Sequence, residues 1–201
     1  YYFTIRACYG WMADNTVDPH VKQTYLKKTE LYRDSLLKIL PQGSNRNIVL
    51  AEKMILSGQA DQAIPILNKV ITSPLDMQEK AARVLEIAID SFDGDEKIDL
   101  LFELADVYDD YENFEKVFDC LKLILEQDPA NEEALYKICF WTDFTGRNEE
   151  GIKLHQAIIE EIPFNELAWF NLGAAYQGLK LYEKSIDAYQ YAVAIDEKFD
   201  Y

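Results

Sequence analysis

Apolar positions recur with a helical period along most of the chain. They are clearest from Glu166 to Lys198, where Trp169, Leu172 and Tyr176 fall at i, i+3 and i+7, one face of a helix. After a break at Gly178, Ile186, Tyr189 and Val193 repeat that spacing. Two amphipathic segments joined by a short polar turn predict an αα-hairpin. Their apolar faces are expected to meet, and Gly173 and Ala192 are small where a close crossing needs small side chains.

One step of 34 residues towards the N-terminus carries the pattern onto Leu135, Ile138 and Cys139. A second step carries it onto Leu101, Leu104, Ala105 and Tyr108, followed by Phe114, Leu121 and Ile124. Pro129 and Pro163 stand one period apart, and Gly146 falls in the inter-helix turn. Three segments in one register predict a stacked array of helix pairs. Trp169, Leu172, Gly173, Tyr176, Tyr182, Tyr189 and Ala192 together resemble the tetratricopeptide repeat (TPR), a 34-residue helix–turn–helix unit. Ser185 departs from it where Ala is usual, and Glu197 where Pro is usual. The resemblance implies an all-α fold, an alpha-alpha superhelix built as a TPR-like solenoid of antiparallel helix pairs. It also implies a protein that binds rather than catalyses. It names no ligand.

The remaining chain divides on the same pattern. Residues 1–43 read as a degenerate N-terminal helix pair, the first helix ending near Asp14. The second starts at Asp18-Pro19, with Asp as N-cap and Pro at the first helical place, and runs to about Leu40. Residues 44–77 form a weaker TPR-like repeat carried by Leu50, Ala51, Gly58, Ala63, Leu67 and Val70. Its Pro74 comes one residue early, and Asn47 stands where a large apolar residue is usual. Residues 78–97 add an extra helix from Gln78 to Phe92 and a linker at Asp93-Gly94-Asp95. One surplus helix upsets the alternation of pairs, so either a break in the superhelix or an irregular repeat is expected there. Residues 98–131, 132–165 and 166–201 are the three well-matched repeats. Tyr201 falls at the second place of a following repeat. The array is therefore expected to continue past it. The outward side of the last helix, which carries Tyr182, Ile186, Tyr189, Tyr191 and Val193, is expected to support self-association through this C-terminal repeat.

Charge changes the picture. The chain carries a net charge of −16. Residues 89–133 hold sixteen carboxylates against three Lys, while residues 1–40 hold six cations against four carboxylates. So acidic a chain is a poor match for nucleic acid. No apolar run is long enough for a membrane span. Cys8, Cys120 and Cys139 lack CxxC spacing and read as buried thiols of a reducing, cytoplasmic compartment. No nucleophile elbow, P-loop, dinucleotide turn or HExxH motif is present, so no enzyme, cofactor or metal is expected. Asp90 to Glu96 lacks the spacing of a calcium loop. His155 occupies the place of a repeat aromatic and reads as a core residue.

Places four, seven, eight and eleven of each first helix face the second helix. Places two, five, nine and twelve lie about 160° away around the axis, at 100° per residue. The resemblance implies that these places line a concave, peptide-holding surface. They are Asp99, Phe102, Asp106 and Asp109, then Glu133, Tyr136, Phe140 and Asp143, then Leu167, Phe170, Ala174 and Gln177, with Asp110 and Phe144 at the rim. The expected ligand-binding groove is aromatic along its floor and acidic at one end, suited to a basic, aromatic-bearing peptide or protein segment. The stripe has no Lys or Arg, and Lys137 is adjacent but alone, which argues against a cationic clamp for a terminal carboxylate. Two alternatives stay open. The aromatics could pack on neighbouring repeats, and the array could serve self-association or position other domains of a longer chain.

Overall fold

The structure is a computed structural model that describes residues 2–71 and 75–196, with side chains from Thr4 onward and, after the gap, from Gln78 onward. Pro74, Glu197 and Tyr201 lie outside the described residues. Every regular element among the described residues is a helix. In chain order they are α1 (Tyr2–Asp14), α2 (Pro19–Ile39), α3 (Ser44–Leu56), α4 (Ala60–Ile71), α5 (Leu75–Ile89), α6 (Gly94–Asp110), α7 (Phe114–Gln127), α8 (Glu132–Phe144), α9 (Asn148–Glu161), α10 (Glu166–Gly178) and α11 (Tyr182–Ile195). Among the described residues, no helix is long and apolar enough to cross a membrane.

Local chemistry sets the helix ends. Asp18 caps α2 by accepting from the His20 and Val21 amides, with Pro19 in the first turn. Asn131 and Asn165 cap α8 and α10, accepting from the Ala134 and Ala168 amides at 3.0 and 2.9 Å. The inter-helix turns share one conformation. Gly58, Glu112, Gly146 and Lys180 have φ of 74°, 61°, 71° and 61°, and the last three recur every 34 residues. The left-handed region costs a residue with a Cβ about 1–2 kcal/mol. Lys180→Gly is therefore expected to stabilise the chain by roughly 0.5–1 kcal/mol, once the greater freedom of an unfolded glycine is subtracted. Urea unfolding of the two proteins checks this, and a lower midpoint for the variant would contradict it.

The last hairpin breaks later than its glycine suggests. Helix α10 runs through Gly178, and the reversal comes at Lys180. At Gly178 the constraint is packing instead: a Cβ there would lie 2.5 Å from Oδ1 of the buried Asn148, whose side-chain amide would have to shift.

The helices form two compact units, residues 1–91 and 92–201. In unit 1, α1 pairs with α2 and α3 with α4, and α5 packs against both α3 and α4. Leu36, Val49, Ala51, Ala63, Leu67, Ala82 and Leu85 form its interior. The surplus helix thus docks on the preceding pair as the first helix of another pair would.

In unit 2, α6 pairs with α7 and α10 with α11, while α8 packs mainly on α7 and α10. Leu101, Phe118, Leu121, Ile124, Leu135, Ile138 and His155 are fully buried. Arg147 ties α7 to the start of α9. Its guanidinium donates to Asp119 and Glu150, both at 2.7 Å, and lies over the Phe118 ring at 4.0 Å. The chain is thus all-α, a solenoid of antiparallel helix pairs.

Two details differ from the pattern expected of the sequence. Helix α11 turns Ser185, Ala188 and Ala192 towards α10, whereas Ile186 and Val193 are half exposed on its other side. Small side chains let the axes approach closely, which the branched residues would prevent. Cys8 is exposed rather than buried, while Cys120 is buried and Cys139 partly so.

Candidate functional site

Helices α8 and α10 are tied together by Asn171, whose buried amide donates to the Leu135 carbonyl at 2.8 Å. Because α8 and α10 begin at equivalent Asn caps, their fifth, ninth and twelfth places come into register. Phe140 and Asp143 from α8, and Phe170, Ala174 and Gln177 from α10, line one cleft of about 530 Å³. Phe144 completes its rim. Phe140 and Phe144 are 59% and 56% exposed, so the cleft presents aromatic surface to solvent.

The rings support one another. Phe140 and Phe144 lie nearly parallel with centroids 5.6 Å apart. Trp141 meets both edge-on, at 4.9 and 5.5 Å, and stacks on Phe114 at 5.2 Å. Offset-parallel and edge-to-face pairs at these separations are the favourable aromatic geometries. Neither Trp141 nor Phe114 belongs to the expected stripe. The run Phe140, Trp141, Phe144 was a visible signal, whereas Phe114 joins it only because α7 packs against α8.

Behind the cleft, the Tyr189 hydroxyl donates to Gln177 Oε1 at 3.0 Å, and its ring lies 5.2 Å from Phe170. Burial raises the Tyr189 pKa, and the nearby Cys139 adds to the effect. Burial, followed by the Asp143 charge, also raises that of Cys139. Both groups are therefore neutral near pH 7, and the charge at this end of the cleft is the exposed Asp143.

The acidic end is less bare than the sequence suggested. Lys137 reaches into the stripe, with Nζ 2.8 Å from Glu133, 3.9 Å from Asp106 and 5.0 Å from the Phe102 ring centre. It joins Phe102 and Asp106 of α6 to α8. Asp99 and Asp109 are exposed on α6 but do not line the cleft, and Tyr136 is half exposed on α8. Leu167, placed on the stripe by spacing alone, is 5% exposed and belongs to the core. The first turn of α10 packs into the array, so its second place has no free surface. Among the described residues, no group of three or more His, Cys, Asp or Glu side chains could hold a metal ion.

Two family models match the chain. The SusR N-terminal TPR domain matches over residues 1–103, and the tetratricopeptide repeat over residues 167–199. The longer match covers the half in which the repeat spacing is weakest. A comparison with curated proteins finds no match. Similar solved structures include YrrB, described as a TPR protein with an unusual peptide-binding site. It is 17% identical, with 83% of this chain and 93% of that chain covered and a TM-score of 0.44. Another is MamA from Desulfovibrio magneticus RS-1, 17% identical over 77% of this chain and 76% of that one, with a TM-score of 0.41. A third is a putative kinesin light chain from Podosopora anserina with nearly identical TPR-like repeats. It is 15% identical over 79% of this chain and 98% of that one, with a TM-score of 0.44.

Proposed function

This chain belongs to the tetratricopeptide-repeat family, whose repeats are protein-interaction scaffolds, and on that premise we propose that it is a non-catalytic scaffold holding a basic, aromatic-bearing peptide segment in the groove of unit 2. The observation that carries this reading is the single cleft lined by Phe140, Asp143, Phe170 and Gln177. Exposed rings at stacked helical places form an apolar patch of the kind that marks interaction sites. Asp143 within the cleft, and Asp99, Asp106 and Asp109 along α6, favour a cationic partner and disfavour an acidic one. Lys137 offsets part of that charge and sets a boundary between the α6 carboxylates and the cleft.

The test is fluorescence anisotropy with a labelled peptide rich in Lys and Phe. Phe140→Ala combined with Asp143→Lys is expected to weaken binding by about tenfold or more, since a central aromatic and a complementary charge are both lost. Reversing Asp106 and Asp109 should produce a smaller loss that disappears as salt is raised. Unchanged affinity in the first variant, with an unchanged circular dichroism spectrum, would refute the groove.

A second reading is self-association through α11. It is favoured by Ile186 and Val193, 55% and 51% exposed, which line a shallow depression of about 480 Å³ with Tyr189. Light scattering separates the two readings: mass that rises with concentration and is lost in Ile186→Glu supports self-association.

A further inference from the structure

Unit 2 carries a further cleft on the other side of α10. At 100° per residue, Trp169, Leu172 and Tyr176 point roughly 130° around the axis from Phe170, Ala174 and Gln177. They floor a cavity of about 450 Å³ whose walls are α9 and α11, each packed on α10. The rings are fixed in place. The Trp169 indole donates to the Pro163 carbonyl at 2.9 Å and stacks on Tyr191 with centroids 4.5 Å apart. The Tyr176 hydroxyl accepts from the Gln156 amide at 3.1 Å. Tyr191 is 57% exposed although Trp169 covers one of its faces, so the opposite face is open. The walls add charge. Glu160 on α9 and Asp187 on α11 line the cleft, are exposed, and enter no hydrogen bond or ion pair among the described residues. Against them stands one lining cation, Lys184, which pairs with neither. Its Nζ lies over the Tyr176 ring instead, 5.5 Å from the centre.

We propose that this cleft is a second binding site, which takes an arginine side chain presented by a protein partner. Asp187 and Tyr191 are four residues apart on α11, so they stand one above the other on one face of the helix. A guanidinium laid on the open Tyr191 face is therefore within reach of the Asp187 carboxylate, with Glu160 on the opposite wall. Its planar fork suits this combination of ring and carboxylates, which a point-charge ammonium uses less fully. Ile159 and Ala188 supply apolar surface for the methylene stem. Two free carboxylates against one Lys, in a chain of net charge −16, disfavour an anionic occupant. The site goes beyond the groove of Phe140 and Phe170 and does not depend on it. It also lies apart from the exposed Ile186 and Val193, because Tyr191 and Val193 are two residues, and hence about 160°, apart around α11.

The probe is a short fluorescein-labelled peptide alternating Arg with Ala, titrated into the full chain at low salt beside its Lys and Gln counterparts. The Arg peptide is expected to bind at least about threefold tighter than the Lys peptide, a margin that charge alone does not give. Asp187→Asn/Tyr191→Ala should abolish that margin and weaken the Arg peptide by about fivefold or more. Hydroxyl-radical footprinting of the unmodified chain gives a readout that does not depend on the variant folding. The Arg peptide should shield Tyr191 and leave Tyr182 reactive, a reference ring of similar exposure at 59%. The proposal is overturned by equal affinity for the Arg and Lys peptides, by an undiminished margin in the double variant, by no shielding of Tyr191, or by no binding at low salt. Equal binding of the Gln peptide would make the occupant uncharged and overturn it too. So would a loss of the same size in Phe140→Ala/Asp143→Lys, which would place the peptide in the other groove, or a second copy that closes the cleft and that the peptide cannot displace.

Discussion

Replacing Gly173 by Leu is expected to destabilise the chain by about 1–3 kcal/mol, the usual cost of overpacking a close seam. A Cβ at this position would lie 2.7 Å from Cδ1 and Cε1 of Tyr189 and 3.1 Å from its Cγ. These atoms belong to a rigid ring, not to the end of a flexible chain. The ring is also held, by Phe170 beside it and by the hydroxyl's bond to Gln177. Relieving the clash therefore moves α11 away from α10 or pushes Tyr189 aside. In the second case Phe170 and Gln177 lose their support, and the cleft they line loses shape. We expect Gly173→Leu to lower the urea midpoint and to weaken the Lys- and Phe-rich peptide together. An unchanged melting temperature would show that α10 and α11 are not in the contact described.

Acidification from pH 7 to pH 5 is expected to destabilise the protein through His155. This imidazole is fully buried, and neither ring nitrogen has a hydrogen-bond partner among the described residues. Burial pushes its pKa down to about 3 from an ordinary 6.5. The unfolded chain therefore takes up a proton below about 6.5 that the folded chain refuses until about pH 3. Stability is highest above that window and falls within it by up to about 1.4 kcal/mol per pH unit. Glu150 acts in a lower range. Its pKa is held below the ordinary carboxylate value, mainly by the hydrogen bond from Arg147, so its contribution is present above that value and is lost only as pH falls through the lowered one. The two are thus separable by pH. His155→Leu, the residue type that Leu121 supplies one repeat earlier, should remove the slope between pH 7 and 5. It should also raise stability at pH 7 by roughly 1 kcal/mol, since two unpartnered nitrogens leave the core. Thermal melts of both proteins across this range check the prediction, and the same slope in both would refute it.

The helices and their turns were legible because the information that sets them is local. A period of 3.6 residues marks a helix wherever it occurs. Asp18-Pro19 and Gly146 act through neighbouring amides and their own backbone angles. The 34-residue spacing recurs in the turn residues Glu112, Gly146 and Lys180, and Phe140, Asp143, Phe170 and Gln177 of the expected stripe line one cleft. Residues 1–103 lack much of the consensus pattern, so spacing alone understated a family match that a whole-domain comparison recovers. What the sequence could not decide was which of two apolar faces becomes the seam. On α11 that depended on how closely α10 approaches, and close approach selected Ser185, Ala188 and Ala192 over Ile186 and Val193. The burial of Leu167, the reach of Lys137 across to α6 and the addition of Phe114 to the ring cluster have the same origin. Each depends on residues distant in sequence meeting at a few ångströms. Periodicity carries the direction of a side chain around its own helix, but only packing between helices fixes what stands opposite it.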